Sequence, residues 1–365
     1  MRITDLVVHH RQVPLRMPYS SVIRGTVDEA HVTLVELVLE DGSSAWGEAV
    51  SMPAVTGETP GSVVAALNGP LRAAVVGRHT ENLEETCDRV ERSILGNGGA
   101  KAGVDIALHD AFARGLGTPL YRALGGGHGT METSITVGLG TPDEMALRAT
   151  ELVKDGFTAL KLKVGHAIAH DVQRVEAVRQ AVGPDIRLRL DANQGWTAKE
   201  SVHAVRLLED RGADIELIEQ PVSARDLRGL RFVRERVSTP VVADESVLTP
   251  QDALEVVRQE AADVLSIKVQ KSGGVRGVLR IIAIAEAAGL TCMIGCSLET
   301  EISITAAASV VAARTAVTHV DLDAPLWLGA SPVRGGVSYR GPVLELPDAP
   351  GLGVAGVLPV PEPSA

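Results

Sequence analysis

Aromatic side chains are nearly missing from this sequence: Phe, Trp and Tyr together make up 2% of it. That scarcity argues against base-stacking platforms and aromatic-lined sugar sites. Positive charge is also in deficit. The formal net charge of -11 argues against nucleic acid and anionic membranes as partners. It leaves a small substrate open, because a local site can oppose the global sign. Cysteine is limited to Cys87, Cys292 and Cys296, which form neither a disulfide framework nor a CxxC metal pair. No apolar run is long enough to span a bilayer, and Met1-Arg2-Ile3-Thr4-Asp5 lacks the apolar stretch of a signal peptide. The expected setting is the reducing cytoplasm.

What is present is core-forming sequence. Apolar residues make up 45% of 365 residues, enough for two domains. Residues 3–14 and 31–39 alternate apolar and polar, as half-buried strands do. Glu40-Asp41-Gly42 marks a turn, and Ala45 to Ala49 reads as the returning strand. A polar loop, Met17 to Thr26, carries Arg24, and a second loop runs from Pro53 to Pro60. Helical patterns follow at 61–76, 81–94 and 98–114, the last rich in small residues that suit close packing. Gly125-Gly126-Gly127 reads as a hinge. Residues 1–125 thus form an α+β capping domain.

From there the rhythm changes. Short apolar strands at 133–138, 158–163, 186–191, 215–219, 240–244, 264–268, 292–296 and 317–321 alternate with amphipathic helices. Eight such units predict an α/β fold of the (β/α)8 barrel type over residues 126–336. The absence of a GxGxxG turn after the first strand of either domain disfavours an open doubly wound sheet. The tail, 337–365, is rich in Gly, Pro and Val and is expected to return to the capping domain and complete it.

In such a barrel the carboxyl ends of the strands face one shared site. Those positions hold Thr136, Lys161 and Lys163, Asp191, Glu219, Asp244, Lys268, Cys296, and finally Asp321 and Asp323. A single Asp or Lys after a strand is usually a helix cap or a solvated loop residue. Seven consecutive strand ends with a charged or reactive group are not explained that way. Asp191, Glu219 and Asp244 form an oxygen-only set suited to a hard cation, Mg²⁺ before Zn²⁺, with Asn193 beside them. Lys161-Leu162-Lys163 has the strand period, so both ammonium groups face one side. Mutual repulsion and burial should lower their pKa toward that of a general base. Lys268, on the sixth strand, would face them across the site. Opposed lysines beside a metal-bound carboxylate suit a racemase or epimerase, with the cation offsetting charge on an enediolate.

Lys161-Leu162-Lys163, Asp191-Ala192-Asn193, Glu219-Gln220-Pro221, Ala243-Asp244-Glu245-Ser246 and Ile267-Lys268 with Ser272-Gly273-Gly274 resemble the enolase superfamily, muconate-lactonizing subgroup. Ser44 to Ala49 extends the likeness into the first domain. Within the subgroup the chain looks most like the dipeptide epimerases, L-Ala-D/L-Glu epimerases in particular. The resemblance implies Lys163 and Lys268 as the acid/base pair and Asp321-Leu322-Asp323 as the seat of a dipeptide's ammonium group. It implies Arg24 as the partner of a side-chain carboxylate, and a pocket lined by Thr136 and Cys296. Trp327 is a bulky departure that would reshape the pocket or pack outside it. The substrate is then a dipeptide or amino acid derivative, and a homo-oligomer is expected. Racemisation or dehydration of a cationic amino acid, N-acylamino-acid racemisation, and a silent metal or amino-acid binder are the alternatives.

Overall fold

The structure is a computed structural model that describes residues 1–23 and 25–358. Three antiparallel strands open the chain: β1 (Ile3–Ser21), β2 (Gly25–Leu39) and β3 (Ser44–Val50). Strand pairing runs further than alternation alone predicts. Tyr19 pairs with Val27, Ser20 with Thr26 and Ser21 with Gly25. Backbone hydrogen bonding thus turns most of the expected polar loop into a projecting hairpin. Arg24 lies outside the described residues.

Behind this sheet runs the helix Gly98–Gly115, which is buried along most of its length. Its small residues permit the approach. A Cβ on Gly47 would stand 1.9 Å from the Gly103 carbonyl oxygen, and one on Gly103 would stand 2.9 Å from the Ala49 and Val35 side chains. The helix expected over 61–76 is interrupted, because Pro70 has no N–H and Gly69 leaves helical geometry. The Gly125-Gly126-Gly127 segment is a packed joint. Gly126 donates to the Tyr121 carbonyl at 2.7 Å, and a Cβ there would meet the Ala312 carbonyl at 2.9 Å.

A short strand, β4 (Thr130–Glu132), precedes the barrel. The barrel strands are β5 (Ile135–Val137), β6 (Ala159–Lys163), β7 (Arg187–Asp191), β8 (Ile215–Glu219), β9 (Val241–Ala243), β10 (Val264–Lys268), β11 (Thr291–Gly295) and β12 (Val317–Asp321). They lie side by side in chain order, all parallel. Ser134 N–H donates to the Val320 carbonyl at 3.1 Å and draws the first and last strands together. The expected barrel is therefore present, with a helix after each strand. Several of these helices start on a Thr whose hydroxyl accepts from the backbone three residues on, with an acid returning the bond.

The last strands are β13 (Val333–Gly335), β14 (Ser338–Arg340), β15 (Val343–Glu345) and β16 (Val354–Val357). β15 pairs with both β14 and β4. The tail also touches the cap: Leu352 N–H donates to Asp110, and Arg114 donates to the Val354 carbonyl.

Candidate active site

Strand register places the site. Lys163 pairs with Asp191, and Asp191 with Glu219, so three adjacent strands end at one level. On the other wall Lys268 pairs with Gly295 and Gly295 with Asp321. β6 and β10 stand four places apart among eight, so their lysines face each other across the mouth. Asp191, Glu219 and Asp244 are fully buried, as carboxylates can be only when cations meet them.

The cations are lysines. Lys161 Nζ lies 3.1 Å from Asp191, 2.7 Å from Glu219 and 2.8 Å from Asp321. Lys163 Nζ lies 2.6 Å from Asp191 and donates to Asn193 Oδ1 at 3.1 Å. Lys268 and Lys271 hold the two oxygens of Asp244 at 2.8 and 2.7 Å. The pKa values of Lys161 and Lys163 are accordingly not depressed as expected. Burial does work against the charged form, but Asp191 raises Lys163 and Asp244 raises Lys268 above the ordinary lysine value. Lys161 is raised in the same way by Asp191, Asp321 and Glu219. Among the acids, burial pushes Glu219 up despite Lys161, whereas Lys161 and Lys163 overcome burial and hold Asp191 low.

The donor set fits a hard divalent ion. It is oxygen-only, and Glu219 Oε2 and Asp244 Oδ1 are buried with no properly directed hydrogen-bond donor among the described residues, although lysines stand close to both.

Asp321 and Asp323 both reach the mouth, but their surroundings differ. Asp321 is tied to Lys161 and to Ser134 Oγ, the latter at 2.9 Å. Asp323 Oδ2 accepts from Thr136 N–H at 2.8 Å and from Trp327 Nε1 at 3.0 Å, while Cys296 Sγ lies 3.6 Å from Oδ1. Burial and the Asp321 charge raise the Asp323 pKa. Trp327 therefore packs inside the site, edge-on to Tyr19. From the cap, Tyr19, Ile23, Met52 and Val55 close over the mouth.

Sequence reasoning passed over two residues here, Glu245 and Lys271. Glu245 accepts from Asn193 Nδ2 at 3.1 Å, and burial followed by the Asp244 and Asp191 charges pushes its pKa up to about 7. Each sits within three residues of a chosen motif position, and proximity to Asp244 and Lys268 was the available signal.

An acid–base barrel with a divalent-ion site is the class these features define. Residues 3–125 match the mandelate racemase/muconate lactonizing enzyme N-terminal domain, and residues 144–356 match the enolase C-terminal domain-like family. The chain is 40% identical to an L-Ala-D/L-Glu epimerase of Clostridium acetobutylicum over 98% of this chain and 99% of that protein. A substrate-liganded L-Ala-D/L-Glu epimerase of Bacillus subtilis superposes with a TM-score of 0.96 at 42% identity, covering 98% of this chain and 99% of the other. A dipeptide epimerase of Enterococcus faecalis complexed with Mg and L-Leu-L-Tyr gives 0.94 at 42% identity, over 98% and 100%. The chain belongs to the mandelate racemase/muconate lactonizing enzyme family of the enolase superfamily.

Proposed function

We propose that the protein is a Mg²⁺-dependent dipeptide epimerase that inverts the α-carbon of the C-terminal residue by two-base 1,1-proton transfer. The opposed placement of Lys163 and Lys268, each against an acid of one three-acid set, is the observation that supports this most directly. Asp191, Glu219 and Asp244 hold the ion. When bound, Mg²⁺ supplies positive charge against the substrate carboxylate and offsets the Asp191 and Asp244 charges that otherwise keep Lys163 and Lys268 protonated. One of these lysines removes the α-proton from its face, and the other delivers a proton to the opposite face. For the other epimer the roles exchange. Lys161 adds fixed positive charge beside the carboxylate. Asp321 and Asp323 receive the ammonium group of the dipeptide, with Asp323 oriented by Thr136 and Trp327 and flanked by Cys296.

L-Ala-D/L-Glu is the first substrate choice, with Arg24 meeting the glutamate side chain. A hydrophobic dipeptide is the second, favoured by the apolar lining of Ile23, Met52, Val55 and Leu298. Solvent deuterium exchange followed by NMR on L-Ala-L-Glu and L-Leu-L-Tyr tests both. If no dipeptide in a broad library takes up α-deuterium with Mg²⁺ present, the assignment is wrong. Arg24→Ala should reduce kcat/KM on L-Ala-L-Glu alone if the first choice is right.

We further place the protein in the cytoplasm as a homo-oligomer. All three cysteines are free, and no helix among the described residues is long and apolar enough to cross a membrane. Leu95 stands 96% exposed and leaves apolar surface for a second copy. Light scattering of the purified protein checks the assembly.

A further inference from the structure

A second cavity, about 260 Å³ in volume, lies on the seam between cap and barrel. There the start of the helix Gly98–Gly115 abuts the backbone of Gln270 and Lys271. Lys101 and Ser272 line this cavity without a hydrogen-bond or ion-pair partner among the described residues. Lys101, one turn into that helix, is only 9% exposed, yet its Nζ makes no ion pair or hydrogen bond with any described residue. Ser272 is 7% exposed, and its Oγ is buried with no hydrogen-bond partner among the described residues.

The acids nearby are already engaged, which explains why Lys101 is left over. Glu58 accepts from the N–H groups of Gly99 and Ala100 at 2.9 and 3.0 Å. Glu91 accepts from Arg276 and Arg280, each at 3.0 Å. Asp105 takes the Arg276 N–H and lies 3.2 Å from His109 Nδ1. Asp105, His109 and Cys87 form a tight buried group on this side of the seam. Its own hydrogen bonds already satisfy it, and burial followed by the Asp105 charge raises the Cys87 thiol far from the thiolate a metal needs. Burial lowers the Lys101 pKa against the attraction of Glu91 and Glu58, as expected of an ammonium group without a partner. Of the lining cations, Lys271 is held by Asp244, and Arg276 and Arg280 are held by Glu84 and Glu91, so the charge left for a ligand is that of Lys101, which calls for an anion.

We propose that this cavity binds a small oxyanion, a carboxylate or a tetrahedral sulfate-like group, through the Lys101 ammonium and the Ser272 hydroxyl. An anion there satisfies both unpartnered groups at once. The site is separate from the barrel acids. Lys271, which lines both cavities, turns its Nζ to Asp244 and to the Ser266 carbonyl.

The test uses the Mg²⁺-loaded protein. Tm is read while sulfate is added in one arm and succinate in the other, against NaCl at matched ionic strength. The expected result is a saturable rise of a few degrees at large excess over Kd in one arm, and the responding arm identifies the anion chemistry. The rise should be lost in Lys101→Met and Ser272→Ala, with activity unchanged in both. Limiting acetylation read by mass spectrometry gives a second measure: the responding anion should slow labelling of Lys101 about tenfold. No response beyond NaCl in either arm, a response retained in both variants, or labelling of Lys101 that is indifferent to a saturating anion would overturn the proposal.

Discussion

Lys161 Nζ lies 2.7 Å from Glu219 Oε2, and the same ammonium group reaches Asp191 and Asp321. One buried cation thus compensates three buried carboxylates. Lys161→Met leaves them facing one another, which should destabilise the Mg²⁺-free protein by about 3–5 kcal/mol. Saturating Mg²⁺ should recover much of that loss, because the ion restores positive charge among the same acids. Urea unfolding with and without Mg²⁺ measures both effects. Equal losses in the two conditions would show that Lys161 does not share its carboxylates with the ion.

The opposed lysines should fail asymmetrically. Lys163→Ala and Lys268→Ala should each lower epimerisation by about 10²–10⁴-fold. Each variant should still exchange the α-proton of the one epimer that its remaining lysine faces. Normal epimerisation by both variants would exclude a two-base mechanism.

Asp244 carries two lysines as well as its proposed part in the ion site. Asp244→Asn should raise the Mg²⁺ concentration needed for half-maximal activity by about 10–100-fold, the scale of lost metal-site contacts. In the unmodified protein, EDTA should abolish activity and added Mg²⁺ restore it. Activity that survives EDTA would remove the ion from the reaction.

Asp323 is aimed by Thr136 and Trp327. Asp323→Asn keeps the shape and removes the charge, so KM for a dipeptide with a free amino terminus should rise about 10–100-fold, the scale of one charge-assisted hydrogen bond. An N-acetylated dipeptide should be affected far less. Equal loss on both would assign Asp323 to structure instead of ammonium recognition.

Glu48 links cap to barrel. Its carboxylate accepts from Thr300 N–H at 2.8 Å, from Thr300 Oγ1 at 2.7 Å and from Ser303 N–H at 3.2 Å. Burial, then the charge of Glu299, pushes its pKa up to about 8 against these bonds. A carboxyl group with a raised folded-state pKa binds more protons folded than unfolded. Its favourable contribution is full below the ordinary carboxyl pKa and is lost as pH rises toward 8. Glu48 should therefore lower the unfolding free energy measured in urea between pH 5 and pH 8, by a few kcal/mol at most at about 1.4 kcal/mol per pKa unit. Glu48→Gln should flatten that slope, and an unchanged slope would exclude Glu48 as its source.

The barrel was legible because its strands are short, apolar and evenly spaced, and because β6 to β12 end on or just before charged or reactive residues. The acids and lysines followed from the rule that strand ends converge. Glu245 and Lys271 did not follow. Both leave their motifs in loop backbone, where side-chain direction depends on geometry that spacing does not carry. The direction of the lysine pKa shifts was also missed. Lys161 and Lys163 are neighbours in sequence, so repulsion was visible, whereas Asp191 and Asp244 reach Lys163 and Lys268 only in the fold.

By itself the sequence determined the alternation of strand and helix, the residues at each strand end, and hence the kind of chemistry offered at the barrel mouth. These are local properties, set by period and by hydrophobic burial. Tertiary structure decided which charges meet. It put one lysine among three acids, tied Asp323 to Trp327, joined Glu48 to the helix that begins at Glu301, and left Lys101 and Ser272 unpartnered on the seam. Electrostatic energy in a buried site depends on distance and desolvation, and both exist only once the chain has closed on itself.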